Sequence, residues 1–411
     1  MRRFLSAAAS AVLVYTLSIS AASNPRPGKD WPQFRGIGAA GIAEGFSLPT
    51  EWDLGAGKNV LWKTDIPGIG HSSPVVWGDD IFISTSISAN KDTSLKIGAY
   101  GDVRPVLDDS EHEWRVYAID KRTGAVKWQH TALKAVPKIK RHTKATHANS
   151  TLATDGERVI AFFGSEGLYA YDMKGKLLWK KDLGVLDAGW FTTPDMQWEF
   201  GSSPVLHDGK VVILADVQKG SFLATFDAKT GKEVWKLTRN GDIPVPTPVV
   251  HEGLVYLTNA HGGPSPVYAI KETATGDITP PSPEVTSNDH IAWSIGRGGG
   301  YMCTPLAYRG LVYIATYNGV ISAFDAKTGE RKYQERLLKD ASSAFTSSPV
   351  ANDGKIYIAG EDGQVIVFKA GPVFERITTN DMKATVLASP AISDGRLLIR
   401  TANQLVAIGT K

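Results

Sequence analysis

The sequence predicts an all-β fold, a single β-propeller of about seven four-stranded blades, closed by an N-terminal strand that completes the last blade. Three observations predict it. A short start pattern occurs seven times, a glycine turn follows each copy, and a second pattern ending in an aromatic residue marks the back half of several repeats.

The start pattern is Ser or Thr, usually followed by Pro, then two or more apolar residues. It begins at Ser73, Ser150, Ser203, Thr247, Thr304, Ser348 and Ser389. The turns follow at Gly78-Asp79, Asp155-Gly156, Asp208-Gly209, Glu252-Gly253, Arg309-Gly310, Asp353-Gly354 and Asp394-Gly395. Asp-Gly between two apolar runs signals a hairpin, because glycine tolerates the positive φ such turns need. The starts lie 41 to 57 residues apart after a first interval of 77, a spacing that suits four short strands per unit.

The back-half pattern runs Ala118…Gly124…Trp128, Ala170…Gly175…Trp179, Thr225…Gly231…Trp235 and Ala323…Gly329…Tyr333. A small residue lets neighbouring sheets approach, glycine makes the turn, and the ring covers the seam with a large apolar area. The last repeat stops at Ala407-Ile408, short of an outer strand, while Gly57-Lys58-Asn59-Val60-Leu61-Trp62 resembles Gly231-Lys232-Glu233-Val234-Trp235. An open blade would expose an unpaired edge. Residues near 58 to 64 are therefore expected to supply the missing strand.

The remaining organisation follows. Arg2 and Arg3 precede a mostly apolar stretch from Leu5 to Ile19 and the small residues Ser20, Ala21 and Ala22. This predicts a signal peptide over residues 1–22, cleaved near Ala22, and a soluble periplasmic or secreted product. Residues 23–56 are expected to be an extended lead-in packed on one surface, and residues 57–411 the propeller. Insertions over 87–112 and 272–290, the latter with Pro280, Pro281 and Pro283, enlarge the first and fourth blades. Without Arg2 and Arg3 the chain carries 43 basic against 42 acidic residues, a balance that gives little attraction to nucleic acid. Cys303 is the sole cysteine, so no internal disulfide can form and no lipid-attachment cysteine stands in the signal region.

The Ala-x-Asp-x-x-Thr-Gly-x-x-x-Trp string resembles the tryptophan-docking motif of PQQ-like β-propeller repeat proteins, the quinoprotein dehydrogenase type. The outer-membrane assembly lipoprotein BamB carries the same repeat. Trp31-Pro32-Gln33-Phe34-Arg35-Gly36 and Gly70-His71-Ser72-Ser73-Pro74 resemble an exported bacterial branch of that family. The resemblance covers residues 31–411. It departs at the fourth repeat, where Ala269…Gly276 is one residue longer, and at the sixth, where Ala370-Gly371-Pro372 follows without a docking Trp.

For a quinoprotein dehydrogenase the resemblance implies pyrroloquinoline quinone (PQQ) and Ca²⁺, held by a vicinal Cys pair, a Trp floor and Glu, Asn and Asp. Cys303 alone cannot make the pair. The expectation is therefore a chain without cofactor or metal, and no catalytic residue is assigned. His142 and His147 have no companion ligands at zinc spacing. Asp108-Asp109-Ser110-Glu111-His112-Glu113 lacks the alternation of a calcium loop and reads as a solvated loop. Lys134, Lys138, Lys140, Arg141 and Lys144 read as a solvated basic loop, Cys303 as a buried small hydrophobe, and no Gly-x-Ser-x-Gly elbow supports a hydrolase.

Seven starts at the heads of inner strands should ring the central opening. His71, Ser72, His147, Asn149, Trp198, Phe200, Tyr301 and Phe345 fall beside them and form the expected ligand or partner site at the channel mouth. The reading is an exported, monomeric, non-enzymatic binding or interaction scaffold of the envelope, with a protein or glycan as partner. The alternatives are a PQQ-dependent dehydrogenase-like enzyme and a carbohydrate-binding propeller. The missing lipid-attachment Cys and seven repeats in place of eight separate it from BamB itself.

Overall fold

The computed structural model describes residues 24–410 apart from 99–103, 191–192, 216, 218–219, 239–245, 259–264, 276–277, 279, 281, 283 and 339–343. The signal-peptide expectation over 1–22 lies outside these residues, as do Gly276, Pro281 and Pro283. Among the described residues, seven four-stranded antiparallel sheets and one two-stranded hairpin carry the fold, with short 3-10 turns at Ile37–Ala39 and Gly164–Glu166. The sheets form a seven-bladed β-propeller.

Blade 1 runs outward from Val75–Trp77 through Asp80–Ser88 and His112–Asp120 to Val126–Ala135. The inner strands of blades 2 to 7 are Ala153–Thr154, Val205–His207, Val249–His251, Leu306–Tyr308, Val350–Asn352 and Ala391–Ser393. Each follows one of the seven starts. The first hairpin turns of blades 3 to 7 begin with Asp208, Glu252, Arg309, Asp353 and Asp394, all at φ between 46° and 51°, and each precedes a positive-φ glycine. Two successive positive φ angles match the right-handed twist of the flanking strands, so the dipeptides found in the sequence are the turns themselves.

The starts also bind neighbouring blades together. The Ser73 amide donates to Thr151 Oγ1 at 3.0 Å, and the Thr151 amide to Ser203 Oγ at 3.0 Å. Thr247 donates to Thr304 Oγ1 at 3.1 Å, Thr304 to Ser348 Oγ at 3.0 Å, and Ser348 to Ser389 Oγ at 2.8 Å. A hydroxyl at this position thus satisfies the amide of the preceding blade, which is the physical reason for Ser or Thr.

Further out, the docking tryptophans cross the seams. Nε1 of Trp62, Trp128, Trp179 and Trp293 donates to the carbonyls of Lys121, Met173, Ala228 and Ala326 in the next blade. The rings lie on Gly124, Gly175, Gly231 and Gly329, where an added Cβ would come within 2.8 Å of the ring. Trp293 fills this role in the fourth blade behind its insertion, which the one-residue irregularity hid from the sequence.

Closure follows the expectation. Val60–Asp65 pairs antiparallel with Gln404–Ile408 as the outermost strand of blade 7. The lead-in covers the lower rim, where inner strands end. Trp31 bridges Val76, the Thr154 amide donates to the Pro32 carbonyl, and the Asn352 amide group donates to the carbonyls of Ala43 and Phe46. From this strap Arg35 reaches the heads of blades 5 and 6. Its five N–H donors meet the carbonyls of Ala39, Ala40, Thr304, Pro305 and Pro349. Burial lowers its pKa to about 9, which leaves it charged at neutral pH.

Candidate functional site

The upper mouth, where the inner strands begin, carries the eight residues expected from the sequence. They fall into two groups. His71 and Ser72 donate their amides to the Ala148 carbonyl, which ties them to the loop of His147 and Asn149. Asn149 Oδ1 accepts from the amide and hydroxyl of Thr146. His147 Nδ1 lies 2.7 Å from Glu199 Oε2, between Trp198 and Phe200 in sequence. Trp198 stacks on His142 at 4.4 Å, and Phe200 meets Phe162 edge-on at 5.6 Å. These six residues belong to the tops of blades 1 to 3.

Tyr301 and Phe345 stand apart, on blades 5 and 6. The Tyr301 ring meets Tyr317 edge-on, and the Phe345 amide donates to the Tyr317 carbonyl. Ser72, His147, Phe200 and Phe345 are buried, whereas His71, Asn149, Trp198 and Tyr301 are half-buried. The exposed part of the mouth is therefore the second set, with the first packed behind it.

One residue pair joins the two groups. Lys144 Nζ donates to Glu361 Oε1 at 2.7 Å and to the Gly98 carbonyl at 2.8 Å, while the Gly98 amide donates to Glu361 Oε2 at 2.9 Å. The Thr346 hydroxyl donates to the same carboxylate, and the Lys144 carbonyl lies 2.7 Å from His71 Nε2. The blade 1 insertion thus meets blade 6 through charged groups of which Glu361 is fully buried.

Two sequence readings need correction here. The basic stretch is not a solvated loop throughout. Arg141 is buried, bound to Asp92 Oδ2 at 3.1 Å and to the Ala145 carbonyl, and Lys144 is held as above. Asp108 is likewise not a free loop carboxylate. Ser88 Oγ donates to it at 2.5 Å, and hydroxyl and amide donors from Ser88 and Ser110 outweigh burial to hold its pKa well below the usual range. Both segments anchor the insertion, because the 87–112 loop pairs with 141–143 through Pro105 and His142 and through the Val106 amide on the Arg141 carbonyl.

Glu166 and Glu199, missed by the sequence reading, make the electrostatic centre of this face. Burial first, then the Glu199 charge, raises the Glu166 carboxyl to about 7, although the Lys138 amide donates to it. Glu199 sits at φ 65°, a left-handed conformation uncommon for a long side chain, which aims its carboxylate at His147. Burial likewise lowers His71 to about 4, with Arg400, Arg141 and Lys144 adding to the effect. Lone acids have no periodic signature, so no pattern pointed to them.

The residues present do not fit the quinone cradle implied by the resemblance. Cys303 is alone and buried, its thiol donating to the Phe345 carbonyl and its pKa pushed up to about 12 by burial. Among the described residues no group of three or more His, Cys, Asp or Glu is placed to hold a metal ion.

Residues 43–185 and 284–373, more than half of the chain, match the sequence profile of the family described as outer membrane protein assembly factor BamB. The chain belongs to this family. Over 121 residues it is 28% identical to BamB of Burkholderia pseudomallei, covering 29% of this chain and 30% of that one. It is 23% identical over 235 residues to BamB of Moranella endobia, covering 48% and 58%. Tetrathionate hydrolase of Acidithiobacillus ferrooxidans is 29% identical over 171 residues, covering 38% and 31%. The chain thus spans less than two thirds of the length of these relatives. Among solved structures, quinohemoprotein alcohol dehydrogenase from Comamonas testosteroni superposes with a TM-score of 0.55 at 13% identity, covering 93% of this chain and 81% of that one. A europium-containing methanol dehydrogenase gives 0.51 at 10% identity, covering 94% and 99%. These likenesses concern the propeller fold, which the BamB family shares with quinoproteins. No helix among the described residues is long and apolar enough to cross a membrane.

Proposed function

We propose that this BamB-family propeller is a non-enzymatic binding scaffold of the cell envelope, exported to the periplasm, where it serves proteins that assemble in the outer membrane. One observation carries the reading: the protein's own Arg35 lies against the heads of blades 5 and 6, with every N–H spent on a backbone carbonyl. Its donors are committed to the chain's own backbone, which favours recognition by the loops and blade edges. His71, Asn149, Trp198 and Tyr301 are the proposed contact residues of the upper mouth, supported from behind by Ser72, His147, Phe200 and Phe345.

Affinity capture of the purified chain with the native envelope fraction tests this. An outer-membrane assembly component is expected to co-purify with wild type and to be lost with Trp198→Ala. Saturable binding of PQQ with Ca²⁺, accompanied by dye reduction, would overturn the scaffold reading in favour of an enzyme.

A further inference from the structure

Five of the seven blade seams share the amide-to-hydroxyl bond between successive starts. The seam between blades 7 and 1 lacks it but is held by Trp62 on the Lys121 carbonyl and by Lys121 Nζ on Asp394 Oδ2 at 2.5 Å. One shared apolar core also spans blades 6, 7 and 1. Among the described residues, the seam between blades 3 and 4 has none of these. No hydrogen bond joins Ser203 to Thr247, although both are described residues.

The docking tryptophan of blade 3 is also undocked. Trp235 is 45% exposed, whereas Trp62 and Trp293 are buried. Its counterparts donate to the residue that follows the Asp of the next blade's turn, as Trp179 does to Ala228. In blade 4 that position is Glu272, whose amide donates to the Gly253 carbonyl as the Ala228 amide does to Gly209. The Glu272 carbonyl is thus the acceptor that Trp235 would use.

The cores divide at the same place. One cluster unites blades 2 and 3 through Ile160, Val211, Ile213 and Phe226, and another unites blades 4 and 5 through Val249, Tyr256 and Val312. The opposite faces of blades 3 and 4 remain open. Val205 is 43% exposed and Val250 is 55% exposed, although inner-strand apolar residues such as Val75, Leu306 and Val350 are fully buried. Leu257 is exposed as well, while its alternation partner Tyr256 is buried.

We propose that the ring is split between blades 3 and 4, and that this seam opens and shuts as a two-state joint. The shut state places Trp235 Nε1 on the Glu272 carbonyl, the Ser203 amide on Thr247 Oγ1, and Val205 against the face of Val250 and Leu257. The structure is the open state. Apolar area draws the faces together, and among the described residues no polar bond between Ser203 and Thr247 or from Trp235 holds them shut. A low-stability seam in an otherwise bonded ring is where sub-global opening concentrates.

Labelling the full chain with 5-fluorotryptophan and recording ¹⁹F NMR spectra tests the joint, with Trp235→Phe assigning the Trp235 signal. In dilute buffer that signal should shift between H₂O and D₂O. In about 0.5 M sulfate, which strengthens burial, it should move toward, or give way to, a solvent-insensitive position, with Trp179 unchanged. Amide exchange of the unsubstituted protein gives a second readout. Ser203 should be roughly tenfold less protected than Thr151 and should gain protection in sulfate. A Trp235 signal insensitive to solvent throughout, or one that sulfate leaves unchanged, would overturn the proposal, as would Ser203 protection equal to that of Thr151 in dilute buffer.

Discussion

Arg35 Nη2 donates to the Pro305 carbonyl at 2.8 Å across 270 residues of sequence, so a residue of the lead-in holds the head of blade 5. Its other donors reach Thr304 and Pro349 in the same way. Arg35→Ala strips the donor from several buried carbonyls at once. A loss of about 3–5 kcal/mol is expected in urea unfolding. Arg35→Lys should recover only part of it, because an ammonium offers three donors in place of a planar fork of five.

Gly124 separates two kinds of glycine. It lies at φ 75° with the Trp62 ring where a Cβ would stand, whereas Gly57, at φ 70°, has open space around that position. Gly57→Ala should cost only the left-handed backbone term, about 1 kcal/mol. Gly124→Ala should cost well above about 2 kcal/mol, since it also displaces the ring that closes blade 7 on blade 1. Thermal unfolding of the two variants side by side checks the difference.

Arg400 contrasts with Arg35. Its guanidinium is fully buried, has no hydrogen-bond partner among the described residues, and is lowered by burial to about 10. Replacing such a charge with an apolar side chain of similar length removes a desolvation cost that no hydrogen bond among the described residues offsets. Arg400→Met should raise stability by about 1–3 kcal/mol, read as a higher urea midpoint at unchanged slope.

Stability should depend on pH through two opposed groups. Glu166 has its folded pKa raised from 4.5 to about 7, so the native state holds the extra proton and stability falls as pH rises through that window. His71 has its folded pKa lowered from 6.5 to about 4, so the unfolded chain holds the extra proton and stability falls as pH drops through that window. Between about 4.5 and 6.5 the two partly cancel. In Glu166→Gln the His71 contribution is left unopposed by Glu166 and is joined by that of His112, whose pKa burial also lowers. Urea unfolding at successive pH values should then show stability rising with pH up to about 6.5, and no decline toward 7.

The ring was legible in the sequence because each blade repeats the same local solution. A hydroxyl heads every blade, two positive φ angles make the first turn of blades 3 to 7, and a docking ring lies over a glycine at four seams; recurrence of this kind is what a single sequence reveals. Val60–Asp65 was legible for the same reason, as a displaced copy of that pattern. The mouth was only partly legible. His71 and His147 stand next to a start, so position alone pointed to them. Glu199, Glu361 and Arg35 act through partners 52, 217 and 270 residues away, and such pairings leave no spacing to read. The solvated readings of Arg141 and Asp108 failed because burial came from the insertion folding back over them, a tertiary event that local polarity does not report.

Joining Val60–Asp65 to Gln404–Ile408 has a consequence for how the molecule is made. Gln404 binds Asp65 across 339 residues, so a segment synthesised early has to wait for residues 404–408 before its edge is paired. Until then the backbone edge that pairs with Gln404–Ile408 stands bare. Nascent chains stalled or clipped before residue 404 therefore carry a sticky ribbon with no home, and quality-control proteases would meet them as such.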